Sequence, residues 1–93
     1  MELPLTDGVY TATLTNSSLI LTQGMGVKKV SVYNTTATAG TVLGSQNLGA
    51  NTPSAVNVSE NETLVLTATN GSILKDVTIT APVGCTLNIV ALV

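Results

Sequence analysis

The sequence predicts an all-β fold: a small antiparallel β-sandwich or jelly-roll-like barrel of seven or eight short strands. Three observations lead there. Apolar residues recur with period two along most of the chain, the spacing of half-buried strands. Clusters of Asn, Gly, Pro and Ser interrupt these runs about every 8–12 residues, as turns do in β-sandwiches. No stretch carries a convincing helical period.

Each element can be read in order. The opening MELPLTDG places Leu3 and Leu5 around Pro4, which favours extended backbone. Residues 1–8 therefore read as an N-terminal arm and residues 9–93 as a single domain. Residues 9–14 alternate, with Tyr10, Ala12 and Leu14 on one face and Val9, Thr11 and Thr13 on the other. Asn16-Ser17-Ser18 reads as a turn and residues 19–22 as a short apolar strand. Gln23-Gly24-Met25-Gly26 breaks the pattern. In residues 27–33, Val30 and Val32 oppose Lys29, Ser31 and Tyr33. Residues 34–40 read as loop, 41–43 as a brief strand and 44–55 as the longest irregular segment. Val56 and Val58 flank Asn57 in another short strand, and SENE turns the chain. Residues 63–69 point Leu64, Leu66 and Ala68 inward. Asn70-Gly71 is a hairpin dipeptide, because both residues accept positive φ. Residues 73–81 set Val77, Ile79 and Ala81 against Thr78 and Thr80. Pro82-Val83-Gly84 reads as a turn, and residues 85–93 as a last strand with Leu87, Ile89 and Ala91 inward.

A chain of 93 residues is one domain with a modest core. It buries only about 60–65% of its unfolded surface. The usual supplements are disulfides, metals and oligomerisation. Cys85 is the single cysteine, there is no histidine, and the carboxylates are scattered. Association with other chains is left as the extra support.

Charge excludes several functions. Charged residues make up 9% of the chain, against roughly 25% in ordinary domains, and arginine is absent. Nucleic-acid binding is excluded, because phosphates need clustered Lys and Arg and bases need aromatic platforms; only Tyr10 and Tyr33 are aromatic. No apolar run approaches the roughly 20 residues of a membrane helix, so no membrane partner is expected. No segment has the pattern of a targeting signal, and synthesis in a cytoplasm is expected.

Catalytic constellations are missing as well. Without histidine there is no Ser-His or Cys-His pair, and the chain reads as a non-enzyme with no catalytic residue, cofactor or metal. Cys85 enters an apolar strand and reads as a small buried hydrophobe. Glu60 and Glu62 flank Asn61 in a solvated turn, short of the six to eight oxygens calcium takes. Lys28-Lys29 read as edge-strand charges that discourage wrong pairing. Five Asn-X-Ser/Thr sequons, from Asn16 to Asn70, reflect richness in Asn, Ser and Thr.

What remains is an excess of apolar surface. Val90 and Leu92 point opposite to Leu87, Ile89 and Ala91, so the last strand is apolar on both faces. Such strands are normally covered on both faces. Leu3, Leu5, Val90 and Leu92 are the candidate subunit interface. In the long loop, Gln46, Asn47 and Asn51 are the candidate partner contacts.

The stretches VKKVSVYNTTATAGTVLG and SAVNVSENETLVLTATNGSILKDVTITAPVGCTLNIVAL, within residues 27–93, resemble small all-β virion proteins of tailed bacteriophages of the capsid-decoration, auxiliary or head-fibre type. Like those proteins, they carry little charge and much Thr, Asn, Gly and Val. The resemblance implies a non-enzymatic structural protein of the virion, made in the host cytoplasm. Such a protein decorates or stabilises a capsid or particle surface, partnered by capsid or other virion proteins. It also implies a homo-oligomer, with a trimer favoured. The alternative is a fibre- or adhesin-like recognition module for a cell-surface glycan. With two tyrosines, no tryptophan and no arginine, the chain is poorly equipped for that role.

Overall fold

The computed structural model describes residues 8–44, 55–68 and 72–93, and these residues are all-β as expected. Six strands form among them: β1 (Val9–Leu21), β2 (Lys29–Asn34), β3 (Gly40–Leu43), β4 (Val56–Val58), β5 (Thr63–Thr67) and β6 (Val77–Leu92). A single turn of 3-10 helix, Gln23–Met25, separates β1 from β2. All pairing is antiparallel. The sheet runs β4-β3-β6-β2-β5, and β1 pairs with the remaining side of β6.

The strand count falls below the expected seven or eight for one local reason. Two of the expected turns are bends inside continuous strands. Thr15 pairs with Thr86 and Ser17 with Ala81, so the four residues 82–85 stand opposite Asn16 alone. A bulge of this kind bends both strands and raises their twist. Asn16 takes φ 49 and Gly84 takes φ 86, left-handed values that Asn and Gly tolerate best. Pro82 lies inside the bulge, where its missing N–H costs no ladder bond. The runs at 9–14 and 19–22 thus become β1, and the two C-terminal runs become β6. The bulge also flips the parity of β1: Leu14 is buried before it, Leu19 and Leu21 after it.

Because β6 turns this corner, its halves have different partners. Residues 78–80 pair with β3, and residues 87–92 pair with β2. The result is two four-stranded layers joined at the corner. One holds β4, β3 and the first half of β6, with residues 17–21 of β1 at its end. The other holds β5, β2 and the second half of β6, with residues 9–15 of β1 at its end. Between the layers lie Leu14, Leu19, Leu21, Val30, Val32, Val42, Ile79, Leu87 and Ile89, all at most 1% exposed. Each such side chain gains about 1.5–3 kcal/mol from burial. Gly40 lets β3 approach this core closely, since a Cβ there would stand 2.7 Å from Leu87 Cδ1.

The one fully buried polar residue among those described is Asn34. Its Nδ2 donates to the carbonyls of Thr38 and Val58, each at 2.8 Å. Its Oδ1 accepts from Thr36 N at 2.8 Å and Thr36 Oγ1 at 2.7 Å. Thr36 Oγ1 in turn accepts from Thr86 N at 3.0 Å. One amide thus ties β2, the following loop, β4 and β6 together with its donors and acceptor all used. Replacing Asn34 with Ala strands two carbonyls and an N–H, each costing about 1–3 kcal/mol when buried without a partner. We expect Asn34→Ala to lower the free energy of unfolding in urea by about 2–4 kcal/mol. A loss under about 1 kcal/mol would show that water replaces the amide.

Candidate functional site

The layer containing β5, β2, β6 and the start of β1 turns one face outward. Period two decides which residues line it, and the register aligns them in rows. Val9, Leu92, Lys29 and Thr67 form the first row, because Val9 pairs with Leu92, and Lys29 with both Leu92 and Thr67. Thr11, Val90, Ser31 and Val65 form the second. Thr13, Asn88, Tyr33 and Thr63 form the third. Val9 is 61% exposed, Val65 47%, Val90 40% and Leu92 36%. Lys29, Ser31, Val65, Val90 and Leu92 line a shallow depression of about 320 Å³ in this face.

The face grades from apolar to polar. Among the described residues that line the depression, Lys29 alone is charged. At the other end the side chains are hydroxyls and amides that bond to one another. Thr13 Oγ1 donates to Asn88 Oδ1 over 3.3 Å, Thr15 and Thr86 share a hydrogen bond of 3.2 Å, and Tyr33 Oη donates to Asn61 Oδ1 over 3.2 Å. Such cross-strand pairs each contribute about 0.2–1 kcal/mol to the sheet.

Val90 and Leu92 lie on the outward side of β6, as the alternation requires. Leu3, Leu5, Gln46, Asn47 and Asn51 lie outside the described residues, as do most of the expected arm and the Asn70-Gly71 hairpin. Sequence reasoning did not pick out Val9 and Val65 as part of this site. Their parity was legible, but the register that lines Val9 up with Leu92 and Val65 with Ser31 and Val90 was not.

One expectation is corrected. Lys28-Lys29 do not guard an edge: β2 lies between β6 and β5. Lys28 N donates to Leu92 O at 2.7 Å, and Lys28 O accepts from Ala68 N at 2.8 Å, so its backbone is occupied on both sides. Lys29 is instead a lone charge on the outward face. Glu62 serves its own turn, Oε1 accepting from Ser59 N at 2.9 Å. Among the described residues no three His, Cys, Asp or Glu side chains come together as metal ligands. No helix among them is long and apolar enough to cross a membrane.

Compared with known proteins, the chain matches no family model, no curated protein and no solved structure.

Cys85 is 0% exposed, its Sγ lying 3.8 Å from Asn34 Oδ1. A thiol so enclosed is inert to reagents that need access to the thiolate. In native buffer an aromatic disulfide reagent should leave Cys85 unmodified, and in denaturant it should label it fully. Fast labelling of the native protein would move Cys85 out of the core.

Proposed function

We propose that this chain is a non-enzymatic structural protein of a tailed-bacteriophage particle, which docks on the capsid or particle surface and decorates or stabilises it. The observation that carries the reading is the outward face of the β5-β2-β6-β1 layer. Three exposed aliphatic side chains, Val65, Val90 and Leu92, line its depression, Val9 stands beside Leu92 on the same face, and Lys29 is the only charge among the depression's lining residues. A domain that lives free in solution keeps its surface charged and free of patches; this one spends surface on contact.

The size of the face favours a lattice over a single tight partner. Four strands about 4.8 Å apart and seven residues at about 3.3 Å each give a face on the order of 400 Å². A stable pairwise complex covers about 800 Å² on each partner. A face half that size binds weakly alone and gains occupancy when contacts repeat over an ordered array. A capsid surface is such an array. The resemblance of residues 27–93 to small virion proteins points the same way.

The test is compositional first and mutational second. Purified particles of the phage that encodes the chain should contain it at high, fixed copy number by quantitative mass spectrometry. Particles stripped of the chain should rebind added wild-type protein on co-sedimentation. Val65→Asp with Val90→Asp places two buried charges in that contact and should abolish rebinding while circular dichroism stays unchanged. A particle that lacks the chain, or equal rebinding by the folded double variant, would overturn the proposal.

A further inference from the structure

The long edge of β1 is the second unsatisfied feature of the fold. Among the described residues β1 pairs with β6 alone, so one side of a 13-residue strand carries no ladder. Two hydrogen bonds identify the groups on that side. Val93 N donates to Gly8 O over 3.2 Å, and Lys28 N donates to Leu92 O over 2.7 Å. The first makes Gly8 and Val93 a hydrogen-bonded pair between the two strands. The second shows Leu92 directing its carbonyl to β2, away from Val9. Bonded and non-bonded pairs alternate along an antiparallel ladder, and the register from Val9↔Leu92 to Thr15↔Thr86 is unbroken. Tyr10, Ala12 and Leu14 therefore bond to β6. Val9, Thr11, Thr13 and Thr15 present their N–H and C=O groups to the free edge.

The other edges are blunted and this one is not. Natural edges are kept short, charged, bulged or interrupted by proline, because an open ladder recruits another strand. β4 has three residues. β5 has five and follows directly on Glu60 and Glu62. Residues 9–15 contain no charge and no proline, and the bulge begins only at Asn16. With no charge on the segment, two copies brought together meet no like-charge repulsion.

We propose that residues 9–15 pair antiparallel with the same residues of a second copy, about a two-fold axis at Ala12. In this register Val9 of one copy faces Thr15 of the other, and Thr11 faces Thr13. All four outward-directed residues of each copy then find partners. A shift of the axis by one residue leaves Val9 or Thr15 outside the paired segment. Ala12 sits at the axis as a non-bonded pair, where Cα atoms approach to about 4.5 Å and a methyl group fits. The contact is isologous and closes on itself, giving a dimer rather than a growing fibre. It joins two layers into one sheet, β5-β2-β6-β1 continued by β1-β6-β2-β5. The two-fold of an antiparallel pair is perpendicular to the sheet, so both apolar depressions lie on the same side. The unit is two-fold, in place of the three-fold unit that the resemblance implies.

This inference rests on the backbone of β1 and not on the docking reading, so each can fail alone. Sedimentation equilibrium of the full chain across the micromolar range should show a monomer–dimer equilibrium. Thr11→Pro removes an outward N–H that β6 does not use, a substitution edge strands tolerate. Two symmetry-related hydrogen bonds are lost, and the dimer should weaken about ten- to a hundredfold with circular dichroism unchanged. Amide exchange gives an independent readout that survives any misfolding of the variant. The Thr11 and Thr13 amides should be slow at dimer concentrations and fast on dilution, and Ala12 slow at both. A monomer throughout, a trimer, an unweakened folded Thr11→Pro dimer, or a fast Thr11 amide in the dimer would each overturn the proposal.

Discussion

The rest of the structure depends on one irregularity in one ladder. Residues 82–85 stand opposite Asn16, and the excess length forces the β1–β6 ribbon to turn a corner. A straight ribbon of 13 and 16 residues would make a flat sheet with one face left in water. The bent ribbon supplies two strands to each of two layers and brings their apolar faces together. Leu19, Leu21 and Ile79 from one side of the corner can then share a core with Leu14, Leu87 and Ile89 from the other. Asn34 braces the arrangement from the opposite side, holding the β2–β3 loop and β4 against β6 through hydrogen bonds of which the one to Val58 is fully buried.

Much of this was legible in the sequence. Period two placed Leu87, Ile89 and Ala91 of β6 inward and grouped Val77, Ile79 and Ala81 of β6, and Val30 and Val32 of β2, each on one face, and all of these residues are buried. What was not legible is whether a polar or Gly-Pro segment reverses the chain or merely bends it. Asn16-Ser17-Ser18 and Pro82-Val83-Gly84 have the composition of turns, and composition reports tolerance for positive φ, not the path taken. The path is set by pairing across the chain: Ser17 meets Ala81 on the far side of the bulge, a contact no local window contains. Asn34 was missed for a similar reason. It opens a stretch that reads as loop, and only the tertiary fold wraps four hydrogen-bonding partners around it.

The candidate site was half legible. Alternation placed Val90 and Leu92 outward, and low charge drew attention to what they would contact. The rows were not legible, because strand order and register decide that Val9 and Val65 join them. The same ignorance of strand order misplaced Lys28-Lys29 on an edge. A charge pair looks alike on an edge or a central strand until its neighbours are known.

The corner ribbon has one more consequence, for how the molecule comes into being. Its two strands lie at opposite ends of the described chain: Val9 meets Leu92, and Thr13 bonds Asn88 from 75 positions away. β2 and β3 also need β6 as their shared neighbour. During synthesis the emerging chain therefore lacks its keystone until β6 has left the ribosome. Contacts of such long sequence separation close slowly, and folding waits for them. A nascent chain still short of β6 has neither the outward face nor the organised edge of β1, because both are made by β6. The inward aliphatic residues of β2 and β3 thus stay uncovered until β6 has emerged, and the interval before it does is when unpaired strands of neighbouring nascent chains can associate.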